Sequence, residues 1–203
     1  MGGYEITGAE DTSSCRWFSF SLTPASAPWA FVREGQAYRA IAALELFGTL
    51  LCLILFVDRN RKDSSVVITF SGCSDNQGNE ALMNKTSTSK FPLYIVLLEL
   101  TEQLQVRNMN LDLRWIGRQF NQHADDLSNR LFDNFNPDLR INPKLDDLDW
   151  LVLPQLMTDA IELDRLIKVA KVAKAESKRR LLGEVQTPEK RRKQPGLKTR
   201  DPW

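Results

Sequence analysis

The sequence predicts an α/β domain, a mixed sheet flanked by helices, followed by a basic helical and disordered C-terminal tail. Three observations carry that expectation. Stretches of strand pattern alternate with stretches of helical pattern along the first two-thirds of the 203 residues. The 42% hydrophobic and 26% charged composition suffices for one sizeable core with an extension outside it. The charge is also divided: residues 165–203 hold 13 Lys/Arg against 4 Asp/Glu, whereas residues 1–164 hold 14 against 22, so a formal net charge of +1 conceals a basic tail on an acidic body.

Taken in order, residues 15–22 place Arg16, Phe18 and Phe20 on alternate positions and are bounded by turn-forming residues, which reads as a strand. A helix follows over about 37–56, where Ile41, Leu44, Phe47, Leu51 and Leu55 recur at helical steps without an interrupting proline. Val66-Val67-Ile68-Thr69-Phe70 is β-branched and almost wholly apolar, the pattern of a strand covered on both faces, and it runs into a loop at residues 71–76. Residues 91–106 carry Leu93, Val96, Leu97, Leu100 and Leu104 at helical spacing. Residues 110–116 alternate strictly, with Leu111, Leu113 and Trp115 on one face, and give the clearest strand of the chain. Asn121 is a candidate cap for a short helix over 122–129, and Pro137, Pro143 and Pro154 suggest a domain edge near 136. A long basic helix over about 156–182 and a disordered segment over 183–203 complete the chain. The expected division is therefore a domain over 1–136, a linker and basic helix over 137–184, and a basic tail over 185–203.

Several classes are disfavoured by composition. Cys15, Cys52 and Cys73 are odd in number, widely spaced and form no CxxC pair, which argues against a disulfide framework or a zinc site and favours a reducing intracellular compartment, nucleus or cytoplasm. The N-terminus has no basic region followed by an apolar run, so it does not read as a secretion signal. Gly2 resembles a myristoylation start, but Thr7 stands one place too late. The most apolar stretch, residues 41–57, is short for a membrane span and contains Glu45, so no membrane partner is expected.

Three acids fall where an α/β nuclease uses them: Glu45 on a helix, Asp75 just past a strand, and Asp125 opening a late helix. Singly each has a bland reading. Glu45 suits a solvent boundary, Asp75-Asn76 suits a turn, and Asp125 suits a helix N-terminus. In series, with Ile41-Ala42-Ala43-Leu44-Glu45-Leu46, Ser74-Asp75-Asn76, and Trp115-Ile116 followed by Asn121-Gln122-His123-Ala124-Asp125-Asp126-Leu127-Ser128, the chain resembles the ribonuclease H-like family. Within it the sequence looks most like the ribonuclease H domain of retroelement reverse transcriptases, over about residues 1–136.

That resemblance implies a five-stranded mixed sheet and a two-metal endonuclease acting on the RNA strand of RNA–DNA hybrids. Its carboxylates hold two Mg²⁺ ions about 4 Å apart, since hard divalent cations take oxygen ligands. Glu45 would ligate one ion, Asp75 would bridge both, and Asp125 would complete the second site, with Asp126 as the register alternative. The family also begins with an aspartate on a first central strand. Glu5, Glu10 and Asp11 occupy no matching motif, so the expectation is an N-terminally truncated domain, inactive as it stands, with an unpaired strand edge. The only histidine, His123, lies in the variable part of the motif and is expected to be exposed and non-catalytic. Trp17, Trp29, Trp115 and Trp150 are expected to pack rather than to stack on bases.

Two other readings remain open at this point. One is a non-catalytic nucleic-acid-binding or interaction module whose basic tail supplies affinity, distinguished by salt-sensitive binding without cleavage. The other is a membrane-associated helical protein built on residues 41–57, which solubility without detergent would remove. Oligomeric state is not legible in the sequence.

Overall fold

The computed structural model describes residues 1–6, 12–31, 40–59 and 66–184. Among the described residues it is a mixed α/β protein with two small sheets. Strand β1 (Gly2–Tyr4) pairs antiparallel with β2 (Trp17–Ser19), which pairs parallel with β5 (Arg140–Ile141). Strand β3 (Ile68–Ser74) pairs parallel with β4 (Met109–Trp115) in a separate two-stranded sheet. The helices are α1 (Ile41–Phe56), α2 (Gln77–Lys85), α3 (Leu93–Val106), α4 (Gln122–Ser128) and α5 (Leu153–Glu184).

The main core lies where α1 and α3 meet. Leu46, Phe47, Leu50, Leu51 and Leu53 of α1 and Ile95, Val96, Leu97 and Leu100 of α3 are all buried, and Trp29, Leu82 and Leu153 join them. Their three- and four-residue spacing sums a continuous apolar stripe on each helix, which is stabilised by burial rather than by intrinsic propensity. A smaller cluster of Trp17, Leu127 and Phe135 sits under β2 and α4. Strand β1 runs close beneath α1 and α4, and its two glycines permit that approach. A Cβ on Gly2 would stand 2.3 Å from the Leu127 Cβ, and one on Gly3 would stand 2.7 Å from the Cys52 Sγ. The β1–β2 connection is closed by Arg16, which donates to both Glu5 carboxylate oxygens at 2.5 and 2.6 Å and to the Phe56 carbonyl oxygen at 2.9 Å.

The structure corrects several expectations. The strand expected over 66–70 spans Ile68–Ser74 instead, so the segment expected as a loop, Ser71-Gly72-Cys73, is strand. It is not covered on both faces: Val66, Val67 and Ile68 are 53%, 54% and 41% exposed. Helix α2 was not expected. Asn76 starts it, its side-chain oxygen accepting from the Gly78 and Asn79 N–H groups at 2.8 and 3.3 Å. Asn121 stands at the cap of α4 without a side-chain capping bond. The edge expected near 136 does not mark the limit of packing, because the first compact unit is Met1–Ile161 and the second Glu162–Trp203. Strand β5 lies beyond 136 yet pairs with β2. His123 is half-buried rather than exposed, edge-on to Tyr4 and Phe135 with ring centroids 6.1 and 6.0 Å away. Trp17 and Trp29 are buried, whereas Trp115 is 48% exposed. The helix expected over 156–182 is present as α5, and residues 185–203, expected to be disordered, lie outside the described residues. Among the described residues no helix is long and apolar enough to cross a membrane.

Candidate functional site

The parallel pairing of β3 with β4 puts the carboxyl ends of both strands side by side, Ser74 opposite Trp115. In open α/β sheets such ends are where backbone leaves the ladder and side chains from successive loops converge. Two loops begin here. Asp75-Asn76 leads into α2, and Gly117–Asn121 leads through a short 3-10 turn into α4. The Trp115 indole N–H donates to the Asp75 carbonyl oxygen at 3.2 Å and ties the two loop starts together.

Glu45 reaches this place from α1. The Asn76 side-chain amide donates to its carboxylate, so one asparagine both caps α2 and holds Glu45. Burial raises the Glu45 pKa above its ordinary value; the Asn76 hydrogen bond opposes that shift, the neighbouring Asp75 carboxylate adds to it, and the Arg118 guanidinium opposes it. Asp125 stands in the first turn of α4 with its Oδ2 3.4 Å from the Arg118 Nε. Asp126, the register alternative, accepts instead from Gln122 of its own helix at 2.7 Å.

Glu45 feels the charges of Asp75 and Arg118, and Arg118 pairs with Asp125, but among the described residues the three acids do not gather into one cluster. Sequence reasoning missed Arg118, Asn76 and Trp115 as members of the site. The Asp75-Asn76 dipeptide after a strand was the available signal for the second; an arginine in a turn carries none of its own.

The Mg²⁺ ions implied by the family resemblance do not fit the donor set as placed. A hard divalent cation needs several free oxygens converging on one point. Among the described residues no three His, Cys, Asp or Glu side chains gather closely enough to hold one ion. Glu45 is engaged by an amide donor and Asp125 faces a guanidinium. Arg118 is 82% exposed, so its ion pair with Asp125 is weakly held and contributes little to stability.

The raised Glu45 pKa has a consequence for stability. Between the ordinary carboxylate pKa and the folded one, the native state binds more protons than the unfolded chain, so stability falls as pH rises through that window. Glu45→Gln, which retains an oxygen to accept from Asn76, is expected to raise the melting temperature at pH 7. The gain should vanish below the ordinary carboxylate range. A thermal-denaturation series from pH 3 to 8 on both proteins checks this, and a destabilised variant at pH 7 would show that the charged form is favoured by the fold.

A comparison with protein-family models, with curated proteins and with solved structures found no match to this chain in any of the three.

Proposed function

We propose that this chain carries a ribonuclease H-like domain of retroelement type that binds RNA–DNA hybrid without cutting it. The observation that supports this most is that Asp75 begins the loop at the carboxyl end of β3 in the parallel β3–β4 pair, with Glu45 held beside it by Asn76, while Asp125 pairs with Arg118 of the loop that follows β4. These are the three acids, from three separated segments, that the resemblance selects. The engagement of two of them by Asn76 and Arg118, and the lack of a three-carboxylate cluster among the described residues, support a silent site.

The binding half of the proposal rests on the second compact unit. On α5, Arg165, Lys168, Lys171, Lys174, Lys178 and Arg180 are all exposed. Cations on one helix neutralise successive phosphates and release condensed counterions, an affinity that falls steeply with salt.

Electrophoretic shift of a labelled RNA–DNA hybrid across 50–200 mM salt tests this. Affinity is expected to fall by one to several orders of magnitude over that range. The combined variant Lys171→Gln, Lys174→Gln, Lys178→Gln should bind more weakly and lower the salt slope by about 2–3. Absence of hybrid binding by the full chain at 50 mM salt would remove the nucleic-acid reading.

A further inference from the structure

We infer that residues 162–180 of α5 form a self-complementary contact surface, which a second copy of this chain covers as an antiparallel helix pair. The inference is independent of the functional reading above, because it rests on an exposed stripe of α5 and not on the acids or on nucleic acid.

At about 100° per residue, Glu162, Arg165, Leu166, Val169, Val172, Ala173, Glu176 and Arg180 fall within one arc of about 120° on the helix. Lys168, Lys171, Lys174 and Lys178 fall on the opposite side. The middle of the stripe is apolar: Leu166, Val169 and Val172 are 55%, 61% and 58% exposed, at successive steps of three residues. A helix with one apolar stripe gains stability chiefly by burying it, so branched side chains left in water at this spacing mark a contact surface. The whole stripe lies in the second compact unit, Glu162–Trp203.

The charges at the two ends of the stripe name the occupant. Along the chain, Glu162 and then Arg165 precede the apolar middle, and Glu176 and then Arg180 follow it. A parallel second copy would set each charge against its own kind. An antiparallel copy, centred between Ala170 and Lys171, sets Arg165 against the partner's Glu176, Glu162 against the partner's Arg180, and Val169 against the partner's Val172. Leu166 then lies across from the partner's Ala173, a large residue facing a small one. Each pairing occurs twice about a twofold axis, as a closed isologous dimer requires.

Within one helix, the Arg165 Nη1 already stands 3.9 Å from the Glu162 Oε2, with the two side chains 76% and 57% exposed. An ion pair so open to water is weak and free to exchange partners. The same two glutamates argue against a lipid occupant, because an anionic membrane surface would meet Glu162 and Glu176 on the very stripe that it buries. The lysine face stays outside the contact. A helix pair about 28 Å long, with three branched apolar side chains from each copy, belongs among the small transient interfaces, with a dissociation constant of roughly 10–100 μM.

Sedimentation equilibrium of the full chain, from about 1 to 500 μM, tests the pairing, with far-UV circular dichroism following the helix. A monomer–dimer equilibrium is expected. Val169→Gln combined with Val172→Gln, which keeps good helix formers at exposed positions, should hold the chain monomeric with its helix content unchanged. Arg165→Glu and Glu176→Arg should each weaken dimerisation about tenfold, because a reversed charge meets its partner twice across the axis. Combined, they should restore it. A chain that stays monomeric at about 500 μM, above the expected dissociation constant, would overturn the inference. A dimer that the valine variant leaves intact, or two reversals that do not rescue each other, would overturn it as well. A monomer that instead binds phosphatidylserine vesicles through Leu166, Val169 and Val172 would assign the stripe to lipid and overturn it equally.

Discussion

Glu99→Ala is expected to destabilise the protein by about 3–5 kcal/mol, the usual result of deleting one member of a fully buried charged network. Glu99 is completely buried on α3. Its carboxylate accepts from the backbone N–H groups of Leu151, Val152 and Leu153 at 3.0, 2.8 and 2.7 Å. These are the donors at the start of α5 that have no partner within the helix, and a carboxylate there also meets the positive end of the helix dipole. One turn further along α3, the Gln103 amide donates to Glu99 at 2.6 Å and to the Asp149 carbonyl oxygen at 2.8 Å. A further turn on, Arg107 donates to the Gln103 carbonyl oxygen at 3.1 Å and also to its side chain. Alanine would leave three backbone donors and one amide facing a void, and would remove a carboxylate whose charge favours the protonated Arg107. Glu99→Gln should cost less, about 1–3 kcal/mol, since an oxygen remains to accept while an NH₂ is turned on donors. Urea denaturation of both variants measures this; a loss under 1 kcal/mol for alanine would show that the start of α5 is not held by Glu99.

Phe47→Ala ranks second, with an expected loss of about 3–5 kcal/mol. Phe47 is 1% exposed, and its ring meets Trp29 edge-on at 5.4 Å and stacks on Trp150 at 5.8 Å. It therefore joins α1 to two segments whose own secondary structure is short. Truncation opens a cavity and removes two aromatic pairs, each worth about 0.5–1.5 kcal/mol beyond area burial. The melting temperature should fall by about 10 °C, and Phe47→Leu, which refills most of the volume, should recover more than half of that. Equal losses in the two variants would mean that the rings contribute nothing beyond filling space.

The contrast between Phe47 and Glu99 shows how far the sequence could be read. Phe47 lies on a run of apolar residues at helical spacing, so α1 and its buried face follow from local pattern. The same holds for α3, β4 and the length of α5. Glu99 reads locally as a polar residue on a helix, and it is buried because the first residues of α5, fifty positions later, need an acceptor. Strand β3 misleads for a related reason. Its most β-prone residues, Val66 and Val67, lie outside it, whereas Gly72 lies inside because Leu111 and Leu113 of β4 pack across it. Helix α2 has few apolar positions and depends on its Asn76 cap, which competes with a turn reading of Asp75-Asn76.

The site was legible as residue types and illegible as partners. Glu45, Asp75 and Asp125 are named by their places in an ordered series of elements. That Asn76 holds Glu45 and that Arg118 pairs with Asp125 depends on where two loops begin after a parallel pairing. No spacing within the sequence encodes those contacts.

The most direct test of a silent ribonuclease H-like site is incubation of an end-labelled RNA–DNA hybrid with the full chain and Mg²⁺, in excess over the hybrid and at a salt concentration where it is bound. The RNA strand should remain intact over hours while the hybrid stays shifted. Mg²⁺-dependent cleavage that disappears in both Glu45→Gln and Asp75→Asn would contradict this directly, by showing that Glu45 of α1 and Asp75 after β3 belong to a working metal centre.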